Sequence, residues 1–270
     1  MKFTEKLNNI MKKNNSLLCI GLDPDIGKMP EGVSIFKFNK AIIEATADLV
    51  CAYKPNFAFY EALGIEGIKA LKNTIEYIPE EIPVIGDAKR SDIGNTSRAY
   101  AQAVFSVLKC DAITVNPYMG FDSVAPFIEY HDKGIFVLCR TSNTGSADFQ
   151  SLESKYQGNT MMLYEVVAHK ASEWNKYGNI GLVVGATYPD ELHQIRRLLP
   201  EMLLLVPGVG AQGGDLDKVV KYGINDRREG MIINSSRQIL YASSGKDFAK
   251  AARSIASDLR EQINRIRYQT

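Results

Sequence analysis

The side chains best suited to chemistry lie in one charged stretch, residues 85–96. An apolar run leads into this stretch and an amphipathic run follows it, which predicts a buried strand that turns into a helix. Because side chains alternate along an extended segment, we expect Asp87 and Lys89 to point the same way. Asp92 lies beyond the turn, from where it can face back or reach a neighbouring chain. Such a cluster is either an active site or a structural network of ion pairs, since both collect opposite charges.

Glycine-rich sequence near the end of the chain indicates a second candidate site. Residues 207–215 read Pro-Gly-Val-Gly-Ala-Gln-Gly-Gly-Asp and lead into a predicted helix, and Ser236 and Arg237 follow the next apolar run. Glycines let backbone N–H groups approach an anion, and a helix N-terminus favours negative charge. Arg237 can add a bidentate grip. The alternative is a tight turn beside a solvated arginine. The glycine-rich loop and the arginine together favour a phosphate site.

Two further residues end apolar runs and extend the charged cluster. Lys54 ends the second run, where we expect it to point towards Asp87, and Asp23 ends the first run. A carboxylate at position 23 suits a sugar hydroxyl. The alternatives are a lysine whose ammonium reaches solvent and an aspartate that closes a turn before proline. Together, Lys54, Asp87, Lys89 and Asp92 predict an alternating row of cations and anions.

The elements that must position these residues alternate along the chain. Eight short apolar runs are separated by amphipathic stretches of helical length, and runs that are apolar at nearly every residue suit parallel strands covered on both faces. The predicted strands are 17–21, 49–57, 82–86, 112–116, 135–139, 180–185, 202–207 and 230–234. The predicted helices are 36–47, 65–77, 97–108, 124–131, 161–177, 189–199, 215–222 and 246–266.

This alternation predicts an α/β protein with a (β/α)8 or TIM barrel, in which residues 1–270 form a single domain with an N-terminal helical extension. Eight such units in about 250 residues match the size of that fold. The alternative is a doubly wound open sheet. We prefer the barrel because nearly every run ends in polar or glycine residues. In a barrel these endings all meet on one rim, whereas in an open sheet only those at the switch point would meet.

One long irregular stretch, residues 141–157, follows the fifth predicted strand and is rich in Ser, Thr, Asn and Gly. Loops of this length are usually lids, binding loops or disordered segments. We therefore expect this stretch to form a lid over the candidate site.

Composition and charge exclude several classes of function. Lys and Arg number 32 and Asp and Glu number 31, so the net charge of +1 provides no field for nucleic acid or an anionic membrane. No apolar run approaches the ~20 residues needed to cross a bilayer, and residues 1–15 are charged and helix-like. The four cysteines and three histidines show no metal-ligand spacing. We expect a soluble cytoplasmic protein with buried free thiols, no metal site and neither a nucleic-acid nor a membrane partner.

Taken together, these motifs resemble the orotidine 5′-phosphate decarboxylase family. The D-x-K-x-x-D-I-x-x-T pattern of that family is filled here by Asp87, Lys89, Asp92, Ile93 and Thr96. The segments 21–25, 53–60, 141–143 and 207–215 are also typical of its bacterial subgroup with longer chains. The resemblance runs from about residue 17 to residue 237. The D-x-K-x-x-D core alone is shared with sister enzymes that act on other sugar phosphates, so the full set is far more specific.

The resemblance implies a role for each matching residue. Lys89 corresponds to the lysine that delivers a proton to C6 of the pyrimidine, within a charged network completed by Lys54, Asp87 and Asp92. In the family, the residues matching Asp92 and Thr96 come from the partner subunit, which implies a homodimer with active sites shared across the interface. The expected substrate contacts are Asp23 to the ribose, Ser142 to the pyrimidine ring, and Gln212, Ser236 and Arg237 to the phosphate.

The resemblance also implies the reaction, which is the cofactor-free decarboxylation of orotidine 5′-monophosphate to uridine 5′-monophosphate in pyrimidine biosynthesis. Two positions depart from the pattern. Ser236 stands where many relatives have glycine, although its hydroxyl can still face a phosphate. Thr144 stands where a proline is common in the subgroup, which leaves the detailed shape of the lid open.

Three other functions are compatible with parts of this sequence. One is a sister decarboxylase or aldolase that acts on a sugar phosphate, in some cases with Mg²⁺. Another is a Schiff-base aldolase in which Lys54 or Lys89 is the nucleophile. The third is a nucleotide-sensing barrel without catalysis, against which the intact set of four charged residues argues.

Overall fold

Eight parallel strands form a barrel in the computed structural model, which describes residues 1–209 and 215–269. The strands are β1 (Leu18–Leu22), β2 (Ala52–Pro55), β3 (Ile85–Arg90), β4 (Ala112–Val115), β5 (Gly134–Arg140), β8 (Ile180–Val184), β9 (Leu203–Pro207) and β10 (Met231–Ser235). They are hydrogen-bonded in the order β2-β1-β10-β9-β8-β5-β4-β3. Isolated parallel bridges between Tyr53 and Val84 and between Asn56 and Asp87 join β2 to β3. The predicted TIM barrel is therefore confirmed, and the open sheet is excluded.

Helices connect these strands. They are α1 (Phe3–Lys13), α2 (Ile35–Thr46), α3 (Phe57–Glu61), α4 (Gly64–Tyr77), α5 (Gly94–Ala101), α6 (Phe121–Ile128), α7 (Leu163–Trp174), α8 (Pro189–Leu198), α9 (Leu216–Gly223), α10 (Arg237–Leu240) and α11 (Phe248–Gln269). α5 continues as a π-helical segment, Gln102–Val107, and three 3-10 segments cover Ile26–Lys28, Pro117–Met119 and Thr144–Asp148. Among the described helices, none combines the length and the apolar character that a membrane crossing requires.

The strand sequences explain why the sheet is enclosed. Every residue of β1, β4, β8 and β10 is buried, because side chains on one face fill the barrel and those on the other lie beneath helices. The helices turn amphipathic faces towards them, and α2 and α9 begin at polar caps. Ser34 accepts a hydrogen bond from the backbone N–H of Lys37 at the start of α2, and Asp215 does the same for Lys218 at the start of α9.

The N-terminal helix α1 lies at the amino ends of the strands, away from the rim where active sites of this fold lie. The ring of Phe3 packs so close to Gly134, the first residue of β5, that a Cβ at that position would lie 2.4 Å from it. Phe3 also meets Phe136 edge to face, with ring centroids 5.8 Å apart. Lys6 forms an ion pair of 2.8 Å with Asp111, just before β4. This helix leaves the carboxyl ends of the strands open.

The predicted lid contains structure that its composition did not indicate. A two-stranded antiparallel hairpin, β6 (Glu153–Tyr156) and β7 (Asn159–Met162), begins in its second half and extends beyond its predicted end. The connecting residues Gln157 and Gly158 both have positive φ, +49° and +83°, as a two-residue hairpin turn requires. The prediction missed the hairpin because its exposed strands lack an alternating apolar face. That this segment acts as a lid stays a prediction.

Candidate active site

The carboxyl ends of the barrel strands surround a cavity of about 590 Å³. Most of the predicted site residues line it, namely Asp23, Lys54, Asp87, Lys89, Ser142, Ser236 and Arg237. Leu138, Val183 and Leu205, from β5, β8 and β9, add apolar surface. The barrel therefore brings the predicted charged cluster and Arg237 to one cavity, although 147 residues separate Arg237 from Arg90 at the end of β3.

Asp87 lies between two lysines, at the end of the cavity where β2 and β3 end. Its Oδ2 accepts a hydrogen bond from Lys54 Nζ at 2.6 Å, and its Oδ1 accepts one from Lys89 Nζ at 2.6 Å. Thr114 Oγ1, from β4, also donates to Oδ1 at 3.0 Å and accepts the backbone N–H of Lys89 at 3.0 Å. Thr114 was not predicted to belong to the site, because a single threonine in an apolar strand carries no local signal. Its hydroxyl ties the main chain of Lys89 to the carboxylate of Asp87.

Burial makes the interaction between Lys54 and Asp87 strong. Their exposed fractions are 4% and 8%. Burial raises the pKa of Asp87, but attraction to Lys54 and Lys89 outweighs it and holds that pKa well below its usual range. Burial likewise lowers the pKa of Lys54, but Asp87 and Asp23 outweigh it and raise that pKa above its usual range. Both groups therefore stay charged at neutral pH.

The low pKa of Asp87 predicts that acid weakens the folded state. Because the unfolded chain binds this proton more readily, the contribution of Asp87 to stability is complete above its ordinary pKa of 3.8. It is lost as the pH falls towards the pKa of the folded state. We expect the carboxyl carbon resonance of Asp87, identified by its absence from Asp87→Asn, to keep its ionised shift at pH 3.8. A titration midpoint at or above that pH would contradict the ion-pair geometry.

Lys89 has an unusual backbone conformation for a residue in a strand. Its φ is +46°, and the pairing of β3 with β4 shifts register between Gly86 and Arg90. The left-handed region costs a non-glycine residue about 1–2 kcal/mol. Asp87 and Lys89 both line the cavity, as expected, but through this irregularity rather than through the simple alternation of an ideal strand. Local strain of this kind is often found at functional sites.

Asp23 and Ser236 both lie beside Gly21, where β1 and β10 end. Asp23 Oδ1 accepts the backbone N–H of Asn56 at 3.3 Å. Gly21 in β1 allows Ser236 to approach, because a Cβ at position 21 would lie 1.9 Å from Ser236 Oγ and 3.2 Å from Asp23 Oδ2. A side chain at position 21 would therefore displace Ser236 and crowd Asp23.

Arg237 is the first residue of α10, is exposed and lines the cavity. Its guanidinium makes no hydrogen bond or ion pair with another residue in the described part of the chain. Beside it, Asn234 Oδ1 and Ser235 Oγ are buried and lack hydrogen-bond partners among residues 1–209 and 215–269. Such groups at the edge of a cavity suit a polar ligand. Gln212, the other predicted phosphate contact, lies outside the described residues.

Asp92 and Thr96 do not line the cavity of their own chain. Asp92 Oδ1 accepts the backbone N–H of Ile93 at 2.8 Å, and Thr96 is exposed on α5. α5 packs against α6, and exposed large apolar residues lie around these elements and the loop after β5. They are Ile93, Tyr118, Met119, Phe121 and Phe149.

Ser142 is held in a narrow position after β5. Gly185, after β8, packs so closely that a Cβ there would lie 2.7 Å from the backbone nitrogen of Ser142. Thr187 Oγ1 donates to the carbonyl oxygen of Ser142 at 3.1 Å. Gln150 also lines the cavity, and nothing in the sequence had singled it out. Its position reflects how the loop folds back, which local sequence does not reveal.

Comparison with known proteins gives concordant results over the length of the chain. Residues 16–254 match the model of the family described as orotidine 5′-phosphate decarboxylase / HUMPS. A protein named orotidine 5′-phosphate decarboxylase from Dehalococcoides mccartyi is 57% identical over 267 residues, which cover 99% of each chain. One of the same name from Ralstonia nicotianae is 50% identical, covering 99% of this chain and all of the other. The solved structure of Leishmania donovani OMP decarboxylase superposes with a TM-score of 0.86 at 43% identity, covering 99% and 100% of the two chains.

Proposed function

Because the chain belongs to the orotidine 5′-phosphate decarboxylase / HUMPS family, we propose that it decarboxylates orotidine 5′-monophosphate to uridine 5′-monophosphate and CO₂ in pyrimidine biosynthesis. The observation that carries this proposal is the ion-paired cluster of Lys54, Asp87 and Lys89, built on a buried Lys54–Asp87 pair, in a cavity that Arg237 also lines. A relative that is 57% identical over almost the whole chain is named orotidine 5′-phosphate decarboxylase. Within the family, this name favours the decarboxylase over an enzyme that acts on another sugar phosphate.

The chemistry requires a fixed positive charge. When the bond between C6 and the carboxylate carbon breaks, the electron pair stays on C6 in an in-plane orbital that the ring cannot delocalise. A preorganised ammonium group stabilises such a developing charge far better than water does. Lys89 Nζ would supply both this charge and the proton that C6 takes up, so it acts as a general acid. Bulk water then returns a proton to Lys89, whose side chain is 49% exposed in this structure.

Lys54 and Asp87 would hold Lys89 in place. The carboxylate of Asp87 bonds both lysines at 2.6 Å, so it orients the ammonium of Lys89 while Lys54 balances its charge. The raised pKa of Lys54 argues against a Schiff-base aldolase that uses this residue, because a nucleophilic lysine must be neutral. The cluster is better suited to electrostatic and proton-transfer chemistry.

The rest of the nucleotide would be bound around the same rim. We assign Asp23 to the ribose hydroxyls, Ser142 to the pyrimidine ring, and Ser236 and Arg237 to the phosphate. Two features support the phosphate assignment. The guanidinium of Arg237 has no partner among residues 1–209 and 215–269, and Ser236 lies close to Gly21. Gln212 is assigned to the phosphate on the family pattern alone. Binding energy from this remote group can fix the geometry at C6.

We also propose that two copies of the chain share their active sites. Asp92 and Thr96 do not line the cavity of their own chain, yet they follow the strand that carries Asp87 and Lys89. The exposed apolar residues Ile93, Tyr118 and Phe121 lie near them and would be covered in a symmetric dimer. In the dimer, Asp92 of the partner subunit would lie near the carboxylate of the substrate and add repulsion between like charges.

Mixing two inactive variants tests the shared site. Lys89→Ala and Asp92→Ala should each be nearly inactive, whereas an unfolded and refolded equal mixture should regain up to about one quarter of wild-type activity. Half of the dimers are then mixed, and one of the two sites in each contains neither substitution. Lys89→Ala mixed with Asp87→Asn is the control, because both residues belong to the same side of the site. Recovery in neither mixture would contradict the sharing of Asp92.

The activity itself is tested by following the loss of ultraviolet absorbance of orotidine 5′-monophosphate in the presence of EDTA. We expect turnover that EDTA does not diminish. No turnover would favour a sister enzyme that acts on another sugar phosphate. Turnover that EDTA abolishes and Mg²⁺ restores would contradict a reaction without a cofactor.

We further propose a cytoplasmic location. The four cysteines, Cys19, Cys51, Cys110 and Cys139, are all buried and free, and burial raises the pKa of the Cys19 and Cys110 thiols to about 12. Free thiols of this kind are typical of proteins in a reducing compartment.

A further inference from the structure

Gln150 holds Thr141 through both ends of its side-chain amide. Its Oε1 accepts the backbone N–H of Thr141 at 2.8 Å, and its Nε2 donates to Thr141 Oγ1 at 2.8 Å. Thr141 Oγ1 in turn donates to Asn143 Oδ1 at 2.7 Å. Every hydroxyl and amide in this series therefore has a consistent donor or acceptor role. The series fixes the residues on both sides of Ser142.

Gln150 is itself rigidly held. Its backbone N–H donates to the carbonyl oxygen of Ser146 at 2.9 Å, and its carbonyl oxygen accepts from the backbone N–H of Tyr164 at 3.0 Å, where α7 begins. Gln150 is therefore hydrogen-bonded both within its loop and to the first turn of α7. Because both backbone groups of Gln150 are hydrogen-bonded, its side chain can hold Thr141 in place instead of moving with it.

A buried cation supports the same loop from behind. Arg140, the last residue of β5, is 2% exposed, and its Nη1 donates to Ser146 Oγ at 2.5 Å and lies 3.5 Å from Gln150 Oε1. Its guanidinium carbon lies 3.7 Å from the ring centroid of Tyr188. These contacts leave Gln150 Oε1 little freedom to turn away from Thr141.

On the other side, β8 limits the same segment. Gly185 lies against the backbone of Ser142, and Thr187 donates to the carbonyl oxygen of Ser142. Ser142 therefore lies between a wall provided by Gly185 and a clamp provided by Gln150. Removing the clamp frees one side only, so the segment should shift along the cavity wall rather than unfold.

We propose that Gln150 is a positioning residue that sets Ser142 against the pyrimidine ring, and that it governs affinity for the ring rather than for the sugar phosphate. This inference rests on the proposed function, which assigns Ser142 to the ring. Gln150 acts through Thr141, because both ends of its amide are engaged by that residue. Ser236 and Arg237 follow β10, whereas Gln150, Thr141 and Ser142 lie in the loop after β5. Affinity for the phosphate should therefore not depend on Gln150.

The test compares a ligand that has the ring with one that lacks it. Gln150→Leu keeps the approximate size of the side chain and removes both hydrogen bonds. We expect the Kd for uridine 5′-monophosphate, measured by calorimetry, to rise about tenfold or more, which is about 1.4 kcal/mol. The Kd for ribose 5-phosphate should change by less than about twofold, or about 0.4 kcal/mol.

Two variants serve as controls. Gln150→Glu keeps an acceptor for the backbone N–H of Thr141 but has no donor for its hydroxyl, so its loss of nucleotide affinity should be smaller and again selective. Gln262→Leu, on the exposed face of α11, should change neither affinity. Equal losses for both ligands, or no loss for either, would overturn the inference. If Gln150→Leu does not fold, the same comparison with Gln150→Glu decides.

Failure of this inference is distinguishable from failure of the proposed function. If the wild-type protein decarboxylates its substrate and the Gln150 variants bind both ligands normally, only the positioning role is wrong. If the wild-type protein shows no decarboxylation but the variants lose nucleotide affinity selectively, the proposed reaction is wrong and the positioning role stands.

Discussion

Lys89→Ala is expected to lower kcat for decarboxylation of orotidine 5′-monophosphate by about four orders of magnitude or more. One substitution removes both the proton donor and the positive charge that faces the developing carbanion. The loss should appear in kcat and not only in KM, because this charge matters most in the transition state. Absorbance at high enzyme concentration, in a preparation made in a host that lacks its own decarboxylase, measures the residual rate.

The fold should survive this substitution. The side chain of Lys89 is half exposed, and Asp87 keeps its bonds to Lys54 at 2.6 Å and to Thr114 at 3.0 Å. Lys89→Gly should be equally inactive yet more stable than Lys89→Ala by about 1 kcal/mol, because glycine adopts a φ of +46° without strain. Lys12→Ala, on the exposed face of α1, is the control and should retain full activity. Substantial turnover by Lys89→Ala would show that the proton comes from another group.

The barrel and the charged cluster were predictable because their signals are local. Parallel strands covered on both faces must be apolar at nearly every residue, so eight such runs mark the strands directly. The polar residue that ends each run then has one possible location, the carboxyl rim. Lys54 and Asp87 could be paired in this way although they are 33 residues apart, because they end neighbouring strands. The 2.6 Å contact between them confirms that they meet.

The residues that sequence reasoning missed take their roles from distant neighbours. Thr114 is one polar residue in a buried strand, and its hydroxyl reaches Asp87 only because β4 pairs with β3. Gln150 reaches Thr141 because the loop after β5 folds back on itself. The positive φ of Lys89 likewise depends on tertiary contacts, since lysine has no intrinsic preference for that region. No periodicity or spacing in a single sequence encodes such contacts.

The role of Asp92 illustrates a different limit. We propose that this residue completes the site of a partner subunit, and in its own chain it does not line the cavity. Nothing in the spacing of charged residues distinguishes a carboxylate that faces its own chain from one that faces another. The mixing experiment with Lys89→Ala addresses this question directly.

Arg237→Ala is expected to lower kcat/KM for orotidine 5′-monophosphate by about 100-fold or more, which is about 3 kcal/mol, because it removes a charge-assisted contact to the phosphate. In the described structure the guanidinium has no partner within the protein, so its loss should leave the fold and its stability unchanged. Arg237→Lys should recover part of the activity, since lysine restores the charge but not the bidentate geometry. Steady-state kinetics of the three proteins measure the effect.

Orotidine, the substrate without its phosphate, provides the decisive control. Wild type and Arg237→Ala should turn over orotidine with the same low kcat/KM, because orotidine has no phosphate group for Arg237 to contact. Arg265→Ala, an exposed arginine on α11, should match wild type with both substrates. If Arg237→Ala lowered kcat/KM for orotidine as much as for the phosphorylated substrate, Arg237 would be acting on the reacting end of the molecule. The division of the cavity into a cationic catalytic end and a phosphate end would then be wrong.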